Sequence, residues 1–234
     1  MTATITAFDW VPDFARGQVR DLRVRWALEE MGEKYDVRYL SQGDQKQPEH
    51  RTRQPYGQVP TLEENGLTLF ESGAIVLHIA ETRGKLLPSD PAARAKAKEW
   101  LIAALNSVEP AIMDHSIATI FEADQPWSKS RLPAVEQRIR ERLTDTAARL
   151  GDRAWYDANF SVGDLMMVSV LRILDGNPLL AEHPTLLAYV ARGTARPAFQ
   201  RALDAQLAGF TGDPPPGFAE WQAKMARKQA ELNG

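Results

Sequence analysis

Strand-forming sequence in this chain ends within its first third, and that asymmetry restricts the architecture more than any other feature. Residues 3–9 and 35–40 (YDVRYL) are short, alternating and rich in β-branched and aromatic side chains, as half-buried strands are. Between them Val19, Leu22, Trp26, Ala27 and Met31 recur near helical spacing. Gly32 supplies a residue tolerant of positive φ where that helix must stop. The block PTLEENGLTLF divides at Glu64-Asn65-Gly66 into two short strands, because Asn-Gly readily takes the left-handed conformations of a tight turn. Ile75, Val76, Ile79 and Ala80 mark a further helix ending near Gly84. The order is β-α-β and then β-β-α over residues 1–84.

Residues 85–91 read as a linker, since the stretch from Gly84 to Pro91 holds two prolines and a serine and the composition then turns alanine-rich and helical. Residues 92–234 are expected to form an all-helical domain. Asp90 offers an N-cap oxygen and Pro91 a preset φ, and Trp100, Leu101, Ala104, Leu105 and Val108 follow on one face. Pro110 is expected to bend or break that helix. Val135, Ile139, Leu143, Ala147 and Leu150 mark another, with densely charged outer faces and Gly151 as its stop. Gly212-Asp213-Pro214-Pro215-Pro216-Gly217 should be a loop leading into a short amphipathic helix containing Trp221.

Composition removes several classes of function. None of the 234 residues is cysteine, so thiol chemistry needs a thiol brought from outside, and no disulfide or thiolate metal site can form. A net charge of -3 gives no global attraction for nucleic acid, and no apolar run approaches the roughly 18 residues of a membrane span. The opening MTATITAFDW does not read as a signal peptide, so a cytoplasmic location is expected. The basic group Lys224-Met225-Ala226-Arg227-Lys228 and the acid pairs Glu29-Glu30 and Glu63-Glu64 read as solvated. The four histidines lack metal spacing, no metal is expected, His115 shows no catalytic partner, and neither a phosphate-binding glycine loop nor a Gly-x-Ser-x-Gly elbow occurs.

Two stretches carry more specific chemistry: Gln54-Pro55-Tyr56-Gly57-Gln58-Val59-Pro60, and Leu69-Phe70-Glu71-Ser72-Gly73-Ala74-Ile75. An X-Pro bond can adopt cis at modest cost, and a helix opening at Glu71-Ser72 offers free N–H groups to an anion. Together they resemble the glutathione-binding half of the glutathione transferase superfamily, and the likeness extends over essentially the whole chain. The resemblance implies an α/β thioredoxin-like N-terminal domain followed by an all-α helical C-terminal domain, and a homodimer. It also implies that the backbone of Val59, between Gln58 and a cis Pro60, pairs with the cysteinyl unit of glutathione as co-substrate. Ser72 would hold the γ-glutamyl carboxylate and Glu71 face its ammonium. Lys46, in Gly43-Asp44-Gln45-Lys46-Gln47-Pro48-Glu49, matches a lysine that approaches the glycine end, and a solvated surface lysine is the other reading. Phe160-Ser161-Val162-Gly163-Asp164 resembles the family's capping box. His183-Pro184-Thr185-Leu186, Arg192 and Arg196-Pro197-Ala198-Phe199 resemble its closing helices, with packing roles.

The pattern departs from the family at the expected catalytic position. Most classes place Tyr, Ser or Cys just after the first strand, whereas no Ser, Thr, Tyr or Cys occurs from Asp9 through Lys34. Counting back from Ala27-Leu28 puts Gln18 near the usual serine. The remaining donors for a thiolate are the Gln18 amide, Arg16, Arg20 and the backbone N–H groups of Gly17 to Val19. Alternatively Arg16 and Arg20 form a solvated helix face paired with Asp21. By position Trp10, Phe14, Met113, Ile117, Phe121 and Trp127 line the pocket for a small hydrophobic or electrophilic acceptor, or belong to the core. The leading expectation is an enzyme that joins glutathione to an electrophile or exchanges it with a peroxide or disulfide. A non-catalytic glutathione- or ligand-binding protein is the alternative, and a partner-docking module is a third reading.

Overall fold

The computed structural model describes residues 2–220, 222 and 223. Strands β1 (Ala3–Phe8) and β2 (Tyr35–Leu40) pair in parallel, with helix α1 (Asp21–Met31) as their crossover. A short helix not anticipated from sequence, α2 (Pro48–Arg51), precedes β3 (Thr61–Glu64) and β4 (Leu67–Phe70). β3 runs antiparallel to both β1 and β4, giving the sheet order β2-β1-β3-β4. Asn65 and Gly66, with φ of 48° and 79°, make the hairpin turn, since both central residues of the twist-compatible turn need positive φ. Ile5 faces Val37 on one side and Leu62 on the other, which pins the buried register of the sheet. Helix α3 (Ser72–Arg83) closes the unit and ends at the left-handed Gly84, as α1 ends at the left-handed Gly32.

α1 is buried on nearly every side, lying against the sheet, α3 and the helical part of the chain. Trp26, Ala27 and Leu28 have no exposed surface. Its buried polar residues are paired. The Asp21 carboxylate accepts from Arg25 Nε at 2.7 Å and from Gln206 Nε2 at 2.6 Å. Asp21 therefore does not pair with Arg16 or Arg20, contrary to the solvated-face alternative. Burial pushes the Asp21 carboxyl up, against the pull of Arg25.

The helical part starts with α4 (Pro91–Ala103), where Asp90 accepts the Ala93 N–H at 2.8 Å. Pro110 does not break the path. A wider π-helical turn over Ala104–Val108 leads directly into α5 (Glu109–Ser116), so Pro110 falls in a first turn, where its missing N–H forfeits no helical bond. A second wide turn, Ile117–Phe121, follows. α6 (Ser128–Leu150) starts earlier than the spacing of Val135 indicated and carries Pro133 inside it. α7 (Val162–Leu171), α8 (Pro178–Ala181), α9 (Pro184–Thr194) and α10 (Pro197–Ala208) complete the described helices. Trp221 and the Lys224–Lys228 segment lie outside the described residues. Among the described residues no helix is long and apolar enough to cross a membrane.

α7 is the buried axis of this part, with every residue from Val162 to Leu171 buried. Its Gly163 packs so closely on α4 that a Cβ there would fall 2.7 Å from Trp100 Cβ. Ser161 and Asp164 form the expected capping box: the Gly163 N–H donates to Ser161 Oγ, and the Ser161 N–H to Asp164 Oδ2 at 3.0 Å. Asp164 Oδ1 also accepts the Tyr156 N–H and the Tyr189 hydroxyl, each at 3.0 Å. The acid pairs are not solvated, because long-range arginines reach them. Glu29 and Glu30 bind Arg201 and Arg196, tying α1 to α10, while Arg38 and Arg53 hold Glu63. Glu64 accepts from His78 Nε2 at 2.6 Å and from both Nη atoms of Arg83, joining β3 to α3.

Two tests follow from these contacts. Asp164→Ala removes the carboxylate that accepts from four buried donors, the Tyr156 and Ser161 N–H groups and the Ser161 and Tyr189 hydroxyls, and is expected to lower stability by about 3 kcal/mol or more, with Asp164→Asn milder, as read from urea midpoints. The Arg83 hydrogen bonds, opposed by burial and aided by His78, hold the Glu64 carboxyl at about 2, against 4.5 ordinarily. Its stabilising contribution is therefore present in full above the ordinary value and lost as pH falls toward 2. Glu64→Gln should cost about 1–3 kcal/mol near neutral pH. The gap from wild type should close across that acid window in denaturation curves taken at several pH values.

Candidate functional site

The loop before β3 is fixed from beneath by side chains. Gly57 has φ of 64° and sits so close to the preceding loop that a Cβ would lie 2.7 Å from the Gln45 carbonyl oxygen. Lys46 Nζ donates to the Gly57 carbonyl at 3.1 Å. Buried His50 places Nε2 2.6 Å from the Gln58 carbonyl, so that nitrogen carries the proton. The Gln58 N–H donates to Gln54 Oε1 at 3.3 Å. The Val59–Pro60 peptide is cis, and β3 begins at the next residue. Gln58 and Val59 are thereby presented to a cleft of about 590 Å³ between the sheet-bearing unit and α5.

The N-terminal end of α1 forms the adjoining wall through Gln18, Val19, Arg20 and Arg23. Buried Arg23 donates from Nη1 to Ser72 Oγ at 3.3 Å and grips Glu109 with both Nη atoms, at 3.1 and 2.9 Å. Arg20 adds Nε and Nη2 to the same Glu109 oxygen, at 3.1 and 2.8 Å. Burial pushes the Glu109 carboxyl up, but the two guanidiniums outweigh it and hold it below its ordinary value. Glu71, at φ 66° and ψ 114°, turns the chain into α3 immediately before buried Ser72. Neither residue is in the cleft lining itself, and Arg23, which does line it, is bonded to Ser72.

Of the three candidate thiolate donors, Gln18 and Arg20 line the cleft and Arg16 does not. Arg16 pairs with Asp13 at 3.3 Å and lies over the Phe210 ring. Of the six residues expected around an acceptor, Phe14, Met113 and Phe121 line the cleft. Trp10 instead packs edge-on against Phe218 at 4.7 Å, Trp127 carries the Arg131 guanidinium over its ring, and Ile117 falls outside the lining.

Sequence reasoning missed Arg23, Glu109, Ser116, Ile120 and Asp175 in that lining. The positions of Glu109, Met113, Ser116 and Ile120 are spaced four, three and four apart, a helical face that could have exposed three of them. Asp175 follows the turn that ends α7, and its carboxylate is 3.6 Å from Arg172 Nε. Burial raises the Asp175 carboxyl against the pull of Arg172. Arg172 is itself anchored, donating from Nη1 to the Gly17 carbonyl while its own carbonyl accepts from Gln18 Nε2, both at 3.1 Å.

The cleft therefore joins a backbone edge, a pair of guanidiniums sharing one carboxylate, and a wall of Phe8, Phe14, Met113, Ile120 and Phe121. Such a site accepts an extended, anionic peptide on one side and an apolar group on the other.

Comparison with known proteins agrees with this architecture. The family model for the N-terminal domain of glutathione S-transferases matches residues 14–81. Glutathione S-transferase 4 of Zea mays is 49% identical over 59 residues, 24% of this chain and 26% of that protein. The disulfide-bond oxidoreductase YfcG of Escherichia coli is 27% identical over 185 residues, 74% of this chain and 85% of that protein. A theta class glutathione S-transferase from Xanthomonas axonopodis pv. citri, solved with glutathione bound, superposes with a TM-score of 0.73 at 27% identity, covering 86% of this chain and 97% of that one. With a thioredoxin-like sheet unit followed by helices, the chain is similar to the glutathione transferase superfamily over most of its length, and residues 14–81 match the N-terminal domain of that family.

Proposed function

We propose that this chain binds glutathione, stabilises its thiolate and transfers it to, or exchanges it with, a small electrophile, peroxide or disulfide. The observation that carries this reading is convergence: the Gln58–Val59 edge and Arg23, which is bonded to Ser72, line one cleft. Residues 1–84 supply the glutathione half and 92–234 most of the acceptor half, on either side of the 85–91 linker.

In this reading the cysteinyl unit pairs with the Val59 backbone. Ser72 Oγ accepts from Arg23, which leaves the Ser72 hydroxyl proton for the γ-glutamyl carboxylate, while Glu71 meets the ammonium. Lys46, bonded to Gly57, steadies the loop and lies toward the glycine end. The thiol faces the start of α1, where Gln18, Arg20 and the positive end of the helix stabilise the anion once the proton has left to solvent. The sulfur electron pair then forms the new S–C bond with an electrophile, S–S bond with a disulfide or S–O bond with a peroxide, as the acceptor's leaving group departs with the electrons of the broken bond. Exchange with a disulfide is favoured by the likeness to a disulfide-bond oxidoreductase over most of the chain.

Calorimetric titration with glutathione checks the ligand. Ser72→Ala is expected to weaken binding about tenfold, or about 1.4 kcal/mol, and absence of binding by the wild type would sink the reading. Ultraviolet titration of the bound thiol checks the mechanism. Arg20→Ala should raise the thiol pKa by about one unit and Arg16→Ala should leave it in place, so identical titrations for both variants would remove the arginine from the mechanism. Binding without turnover of aryl halides, peroxides or disulfides would leave a glutathione-binding protein in place of an enzyme.

A further inference from the structure

The acceptor half of the cleft holds a charge that glutathione binding does not use. Four ionisable residues line the cleft among those described: Arg20, Arg23, Glu109 and Asp175. The first three form one cluster, in which Arg20 and Arg23 share the Glu109 carboxylate. Asp175 faces the space with half its side-chain surface exposed. Its partner Arg172 meets it only through Nε at 3.6 Å, longer than a charge-assisted hydrogen bond, so carboxylate lone pairs remain available. Arg172 has little freedom to approach further, because its Nη1 is bonded to Gly17 and its guanidinium lies 4.8 Å from the centre of the Phe199 ring. Asp175 is itself set by its N–H bond to the Arg172 carbonyl at 3.0 Å, followed by Gly176 at φ 74°.

The same cleft carries three phenylalanines, Phe8, Phe14 and Phe121. A carboxylate and aromatic rings lining one cleft are groups that together hold an organic cation, by a charge-assisted hydrogen bond and by attraction to the ring quadrupole. Resting on the glutathione reading above, we propose that the acceptor bears an ammonium group, received by Asp175 between the phenylalanines. A neutral acceptor would cover this carboxylate and leave it only the Arg172 nitrogen at 3.6 Å, and a site built around a hydrogen bond rejects the analogue that lacks the group.

Glutathione conjugates that place a chosen substituent in the acceptor half test this by calorimetry. S-(4-aminomethylbenzyl)glutathione is expected to bind the wild type about tenfold more tightly than S-(4-methylbenzyl)glutathione, and S-(4-carboxybenzyl)glutathione more weakly than either. In Asp175→Asn the ammonium preference should fall to near unity. Equal affinities in the wild type, a preference that survives Asp175→Asn, or equal weakening of the ammonium and methyl conjugates in that variant would overturn the assignment. If glutathione binds and the three conjugates do not differ, the acceptor assignment alone fails. If neither glutathione nor any conjugate binds, the glutathione reading fails and this inference with it.

Discussion

A single carboxylate from the helical part, Glu109, is shared by two guanidiniums from the opposite side of the cleft. Two cations on one anion leave an excess of positive charge beside the entry to α3, where an anionic ligand group would be received. The arrangement also fixes geometry: Arg23 Nη1 donates both to Glu109 Oε2 and to Ser72 Oγ, so the ion pair and the Ser72 contact meet at one nitrogen. Buried ion pairs of this kind contribute little net stability, since desolvation offsets much of the attraction, and their use lies in fixing which groups face one another. The cleft thus depends on a contact that spans α1 and α5, and neither side contains it alone.

α1 shows the same logic along its whole length. A helix this deeply buried would ordinarily be apolar throughout, yet it carries Asp21, Arg23, Arg25, Glu29 and Glu30, and each is directed to a partner. Glu29 and Glu30 engage the N-terminal half of α10, Asp21 engages Gln206, and Arg23 engages α5. The polar residues define the orientation of the helix relative to two neighbours, α10 and α5, while Trp26 and Leu28 supply the apolar contact.

This explains which parts of the molecule were legible in the sequence. Features set by local chemistry could be read directly: the Asn65-Gly66 turn, the left-handed Gly32 and Gly84, the Asp90 cap and the Ser161–Asp164 box each involve residues a few positions apart. The charged residues of α1 misled because a helix that meets its counter-ions more than eighty positions away looks, over a short window, like a solvated one. Arg16 and Gln18 could not be told apart because the chain between them passes through Gly17 at φ 76°, which breaks the periodicity from which side-chain direction is inferred. The acceptor wall was half legible for a related reason. Met113 was found by its bulk, whereas Ser116 and Asp175 carry no apolar signal and were placed only by the fold.

The two wide turns flanking α5 bear on how such a cleft can change its preferences. Each π-helical turn is an extra residue accommodated inside a helix, and one residue corresponds to about 100° of rotation. Loss of a single position within Ala104–Val108 would swing the face that now carries Glu109, Met113 and Ser116 toward a different neighbour. Loss within Ile117–Phe121 would redirect Phe121 and the segment beyond it, with α5 left in place. One-codon insertions and deletions at these two points are therefore a route by which relatives could exchange one cleft wall for another on an unchanged sheet-bearing unit.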